Sequence, residues 1–282
     1  MRITTLFNNN NLHLFAKTST CELKNHLITK KNILVFALFV VNFSTFGQFN
    51  IGVVNESLVK IDKKLYASRS EVTNGMYMTF ISSLKQSQRK DLLAIAEVDS
   101  AKFQSIVPTK LYHSHQGFAK CPVVCIKHEA AIIFCNWLTE NYNTNHRRKF
   151  KKVIFRLPTE KEWMNAAQAG DTLAIYPWNG DKLRNEYGCY RCRYHVIKVL
   201  PPNNKYFYIQ YRPMQVGSFE PNKYGMYDMS GNVAEMISEK GITKGGSWKS
   251  DSTFLEIKSR DYFDGKNHES IGFRYFAEII EK

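Results

Sequence analysis

The residues Ser230-Gly231-Asn232-Val233-Ala234-Glu235 place an amide oxygen, backbone carbonyls and a carboxylate within a few positions of one tight turn. A hard cation such as Ca²⁺ takes that set of oxygens. The same residues also suit a side-chain-capped turn without an ion, and spacing alone leaves both readings open. His113 and His115 form an H-x-H pair, a ligand type for copper, zinc or iron. Cys121 and Cys125 are spaced C-x3-C, and Cys189 and Cys192 C-x2-C. In an oxidising compartment such pairs are expected to bridge; free buried thiols and a four-thiolate zinc site are the other two readings. Cys135 falls on the apolar side of a helical pattern and reads as a core thiol. No Ser-His-Asp arrangement, Walker loop or dinucleotide fingerprint appears in a suitable context.

The elements that must position these residues are short. Glu71-Val72-Thr73-Asn74 leads into a helix capped by Thr73 or Asn74, and Tyr77, Phe80, Ile81 and Leu84 share one face of it. A second helix is expected from about Lys127 to Asn141, with Ala131, Phe134, Cys135 and Leu138 as its buried stripe. Val153 to Leu157 reads as a strand. Thr159 and Glu162 then make a capping box for a helix that Gly170 ends. Residues 86–118 are expected to form an irregular insertion. Phe207 to Tyr211 and Phe273 to Ile280 read as further strands. Pro221-Asn222-Lys223-Tyr224-Gly225 is a turn ending in a glycine free to take positive φ. No linker divides residues 48–282, which read as a single α+β domain with little regular secondary structure.

The chain has 282 residues, of which 44% are apolar and 13% aromatic, enough to bury a sizeable core. This composition excludes disordered and collagen-like chains. Within residues 1–47, Lys30-Lys31, the apolar run Ile33 to Val41 and the exit around Gly47 read as a secretory signal peptide. The run is too short for a comfortable membrane span. Residues 1–29 fit no such pattern and suggest a start assigned too far upstream. Without residues 1–47 the chain carries 34 basic and 24 acidic residues, a net +10. Such a surface suits anionic partners of the cell envelope or simple solubility, and not nucleic acid once the chain is exported.

A longer ordered set of motifs carries a resemblance. It runs from Glu71-Val72-Thr73-Asn74 through Pro122-Val123-Val124 and Phe134-Cys135-Asn136-Trp137-Leu138 to Arg156-Leu157-Pro158-Thr159-Glu160-Lys161-Glu162-Trp163. Tyr176-Pro177-Trp178, Asn222 to Glu235, Gly245-Gly246-Ser247-Trp248 and Gly272-Phe273-Arg274 complete it. The chain resembles the formylglycine-generating enzyme (sulfatase-modifying factor) family over about Lys60 to Phe276. Within that family it is similar to secreted homologues related to gliding-motility and type IX secretion lipoproteins.

The resemblance implies a C-type-lectin-like fold with bound calcium, and oxidation of a peptidyl cysteine to formylglycine by oxygen and a copper held by two cysteines. It assigns one calcium site to Asn232, Val233 and Glu235. A second family calcium site has Arg193 where the family has an asparagine, and a guanidinium there would repel Ca²⁺. Ser247 matches the serine beside the reaction centre. The copper-binding cysteines fall at Ser250 and Leu255, and neither a hydroxyl nor an alkyl group holds Cu(I). Copper is therefore not expected. The expected function is a secreted or periplasmic pseudoenzyme that binds an envelope protein or a glycan. The alternative is an oxidase with an altered metal site, using His113 and His115.

Overall fold

The computed structural model describes residues 49–104, 111–195 and 212–282. The expected leader and the strand expected at Phe207 to Tyr211 lie outside the described residues.

The helices follow the apolar spacing. α1 (Ile51–Ser57) begins the described chain and leads directly into β1 (Leu58–Lys60) and β2 (Leu65–Ser68). In α2 (Asn74–Gln86), Thr73 accepts a hydrogen bond from Met76 N, and Tyr77, Phe80, Ile81 and Leu84 are buried. α3 (Lys90–Ala96), α4 (Ser100–Gln104) and a 3₁₀ turn at Gln116–Phe118 follow. The stretch expected to be an irregular insertion is therefore partly helical, and its Ala96, Phe103, Tyr112 and His113 are buried. Its apolar residues are too scattered for the helical period to stand out, and tertiary burial of those few anchors orders it. α5 (His128–Thr144) buries the expected stripe and packs on β3 (Lys152–Arg156). α6 (Glu160–Gln168) has the expected capping box, Thr159 and Glu162 each accepting the other's backbone N–H.

Two four-stranded sheets hold these helices. In the first, the order is β1, β2, β8 (Phe276–Glu281), β3, with every pair antiparallel. In the second, the order is β6 (Asp261–Tyr262), β5 (Ile242–Lys244), β4 (Ala234–Met236), β7 (Ile271–Phe273), and β4 runs parallel to β7. The single strand expected near the C-terminus is thus β7 and β8, one in each sheet, separated by Arg274 and Tyr275. Rings of Tyr77, Phe80, Phe134 and Phe273 pack edge-on or stacked, with centroids 5.3 to 6.5 Å apart. Each fully buried ring of this kind contributes about 1.5–3 kcal/mol against exposure. The described residues between α6 and β4 are loop, which needs side-chain anchors to stay in place.

Candidate functional site

The anchors converge on the turn before β4. Asp228 and Asn232 take positive φ of 55° and 58°. At Gly231 (φ 79°) a Cβ would sit 2.4 Å from the Arg193 carbonyl oxygen, so only glycine fits the turn there. Gly231 N donates to Gly245 O, Asn232 N to Arg193 O, and Trp248 N to Asn232 O. Two further loops, at Arg193 and at Gly245-Trp248, are thereby tied to one turn.

β4 then carries Glu235 into the interior, where it is 1% exposed. Its carboxylate accepts from both Arg274 Nε (2.6 Å) and Arg274 Nη2, and from Trp163 Nε1 at 2.7 Å. Arg274, fully buried, also donates to Ser68 O and Tyr227 O. A buried charge pair persists when its leftover donors and acceptors are satisfied in this way.

Two more carboxylates lie close by. Glu71 and Asp228 are both buried, and the charge of each opposes that of Glu235. Burial pushes Asp228 up to about 6, against the pull of the Gly217 N–H that it accepts at 2.6 Å. Burial, reinforced by the charge of Asp228, raises Glu71 well above the usual carboxylate range. Glu71 Oε1 accepts from Asn232 Nδ2, while its Oε2 has no partner among the described residues. Three buried carboxylates thus face one guanidinium, and protons or a cation must balance the excess.

This geometry tests the fit of calcium. Both oxygens of Glu235 are taken, Asn232 Oδ1 accepts Met214 N–H at 2.9 Å, and the Asn232 carbonyl accepts from Trp248. The set Asn232, Val233 and Glu235 therefore does not fit a calcium ion as it stands, because protein donors stand where the ion's charge would be. Glu71 Oε2, a buried carboxylate oxygen without a partner among the described residues, is the kind of oxygen that a hard cation takes. Sequence reading missed both acids; Asp228 sits inside the Asn222 to Glu235 motif, and Glu71 is 161 residues from Asn232. The Arg193 guanidinium is mostly buried, its own charge disfavoured by burial and by Arg212, so cations already crowd that position.

The positions expected to match copper ligands are filled differently. Ser250 Oγ accepts from Ser247 N at 2.9 Å and lies 3.0 Å from Ser247 Oγ. Leu255, within a 3₁₀ turn at Ser252–Leu255, has no exposure and packs with Tyr176 and Cys192, flanked by Trp178, Leu183 and Tyr194. Its carbonyl accepts from Ser230 Oγ at 2.6 Å. Nearby in sequence, exposed Lys249 pairs with buried Glu269 at 2.6 Å.

All five cysteines in the described residues are free. The expected disulfides are not formed, and no group of three or more His, Cys, Asp or Glu there could hold a metal. Cys121 and Cys125 lie in the apolar cluster beneath Trp248. Burial pushes their thiols up to about 11 and about 12, so neither offers a thiolate at neutral pH. Cys192 is raised further by burial, and Cys189 is exposed. His113 is buried, with Nδ1 against Ser100 Oγ and Nε2 against Val124 O, and burial lowers it to about 4. His115 caps the 3₁₀ turn through Nδ1, which accepts from Gly117 N. The two imidazoles serve separate structural bonds and do not converge.

A turn locked by Gly231 and Asn232, a buried Glu235–Arg274 pair and a Gly-Gly-Ser-Trp loop define a class. The family described as "Sulfatase-modifying factor enzyme 1-like domain" matches residues 44–279. The chain belongs to this formylglycine-generating enzyme-like family. It is 31% identical over 119 residues to the formylglycine-generating enzyme of Thermomonospora curvata, covering 42% of this chain and 33% of that one. It is 29% identical over 136 residues to inactive C-alpha-formylglycine-generating enzyme 2 of Bos taurus, covering 45% and 38%. It is 30% identical over 145 residues to chaperone protein LppX of Paenibacillus barcinonensis, covering 44% and 51%. The matched stretches span about a third to a half of these relatives. PvdO from Pseudomonas aeruginosa shares the fold, with a TM-score of 0.53 and 20% identity over 76% of this chain and 80% of that one. No helix among the described residues is long and apolar enough to cross a membrane.

Proposed function

We propose that this protein is a catalytically silent member of its family, with a C-type-lectin-like fold, exported to the cell envelope and acting there as a binding component. One observation carries the reading. Where a copper thiolate pair is expected, Ser250 is bonded to Ser247 and Leu255 is packed under Tyr176. A leucine without solvent exposure cannot exchange for a ligand without unpacking its neighbours. Similarity to a relative named inactive and to another named a chaperone supports a non-catalytic role. The leader-like pattern ending near Gly47 supports export, and the resemblance to gliding-motility lipoproteins supports a place in secretion or surface motility. The test is incubation with a Cys-containing sulfatase peptide, copper and oxygen, followed by mass spectrometry. Robust formylglycine formation overturns the reading.

An oxidase using His113 and His115 is disfavoured because both rings already serve backbone or hydroxyl partners. Stoichiometric copper or iron in protein purified without chelator would favour it instead. Calcium is proposed to neutralise Glu71 and Asp228, where the balance of buried charge has room for it. A ligand at 100 times its Kd adds about 2.7 kcal/mol of stability. Calcium added to chelator-treated protein should raise Tm, and Asp228→Asn should remove that rise. An unchanged Tm in the parent protein leaves protons as the balance.

A further inference from the structure

Beside Leu255 the loop after α6 forms a cleft of about 230 Å³. Tyr176 and Trp178 line it, their rings stacked 4.9 Å apart at 8°. Leu255 and Cys192 support Tyr176 from within, so the residue that replaces a copper ligand buttresses this wall. Trp178 Nε1 donates to Lys182 O at 3.0 Å, which fixes the indole and leaves its ring for contact. At the floor, Asn222 Nδ2 donates to Ala166 O, and Asn222 Oδ1 accepts from Tyr224 N and Met226 N. The cleft is thus held rigidly to the end of α6.

Its charged groups are under-partnered. Arg191 Nε is buried and has no hydrogen-bond partner among the described residues. Among the described residues the same guanidinium pairs with Glu220, at 3.7 Å, and the Glu220 side chain is 79% exposed. Asp171 holds one oxygen on Leu173 N at 3.1 Å, and Lys223 and Asn179 complete the rim. Two cations, Arg191 and Lys223, balance two anions, Asp171 and Glu220. An anionic ligand meets both carboxylates, and a cationic one meets both bases. A neutral ring with many hydroxyls satisfies all four, because a hydroxyl both donates and accepts. Its apolar face suits an aromatic wall, and one sugar unit suits the volume.

From this geometry we infer that the cleft between Trp178, Arg191 and Lys223 binds a neutral sugar residue of a polysaccharide. The inference rests on the proposed binding role and names its ligand class. Trp178 stacks on the ring, the exposed part of the Arg191 guanidinium donates to a ring hydroxyl, and Asp171 and Glu220 accept hydroxyl protons.

The experiment titrates the full chain with cello-, manno- and chito-oligosaccharides, with polygalacturonate fragments and an acidic peptide alongside, by calorimetry and tryptophan fluorescence. At least one neutral series should bind at millimolar Kd or better. Trp178→Ala and Arg191→Gln should each weaken it about tenfold or more. Lys223→Ala, a change at the rim, guards against misfolding of the other two and should also weaken binding while Tm holds. No binding by any neutral series up to about 10 mM overturns the inference. So does binding of only the acidic probes, or affinity unchanged in all three variants. Failure here with no formylglycine formed leaves the non-catalytic reading intact, whereas formylglycine formation strikes that reading directly.

Discussion

If Leu255 has become a packing residue, removing its side chain must cost what a core deletion costs. The residue has no exposure, and its neighbours Tyr176 and Cys192 are themselves buried. The backbone cannot easily follow to close the gap, because Ser230 Oγ bonds the Leu255 carbonyl at 2.6 Å. On the other side, a Cβ on Gly246 would come within 3.2 Å of Leu255 Cδ2, so the chain is already close there. Leu→Ala at such sites costs about 2.7–5 kcal/mol, and about 3 is expected here. For a folded unit of this size that lowers Tm by about 6–12 °C. Leu255→Met keeps the volume and should cost less than about 1.5 kcal/mol. Urea unfolding followed by circular dichroism measures both, with the m value unchanged if only stability moves. A Leu255→Ala protein within about 0.5 kcal/mol of the parent would refute the reasoning. The position would then be a loose remnant of a ligand site and not a buttress.

Arg274→Met should destabilise by about 3–5 kcal/mol in the same assay, since it strands buried Glu235 beside Glu71 and Asp228; a loss under about 1 kcal/mol would mean Trp163 alone suffices. In chelator, stability should fall as pH rises from about 4 to about 6, because the folded pKa of Asp228 lies above its unfolded value. The folded state then binds more protons than the unfolded state, so the benefit is complete below about pH 4 and is lost through about pH 6. Asp228→Asn should flatten that slope, and an unchanged slope would point to other groups. Among Cys121, Cys125, Cys135, Cys189 and Cys192, only Cys189 should react rapidly with a thiol reagent in the native protein, since the other four are buried. Rapid labelling of Cys192 would mean that the wall beside Leu255 opens.

Local chemistry wrote much of this fold into the sequence. The Thr159–Glu162 capping box, the Thr73 cap and the apolar stripe from Ala131 to Leu138 concern residues three or four apart, and each appears where its spacing places it. That Ser and Leu stand at positions 250 and 255, where the resemblance implies copper-binding cysteines, is likewise a matter of residue identity. Position in space was not legible. Glu235 looked like a metal ligand by its distance from Asn232, yet Arg274, 39 residues on, takes its carboxylate. Four cysteines spaced for bridging remain thiols, because Cys121 and Cys125 turn into an apolar cluster while Cys189 lies at the surface. His113 and His115 look like a pair until the fold gives each a separate hydrogen bond. Sequence therefore determined the caps and the helix faces, set by neighbours along the chain, and the residue types at positions 250 and 255. Tertiary structure alone decided which carboxylates share a buried charge and which loops form a cleft, because burial and long-range contacts set those energies.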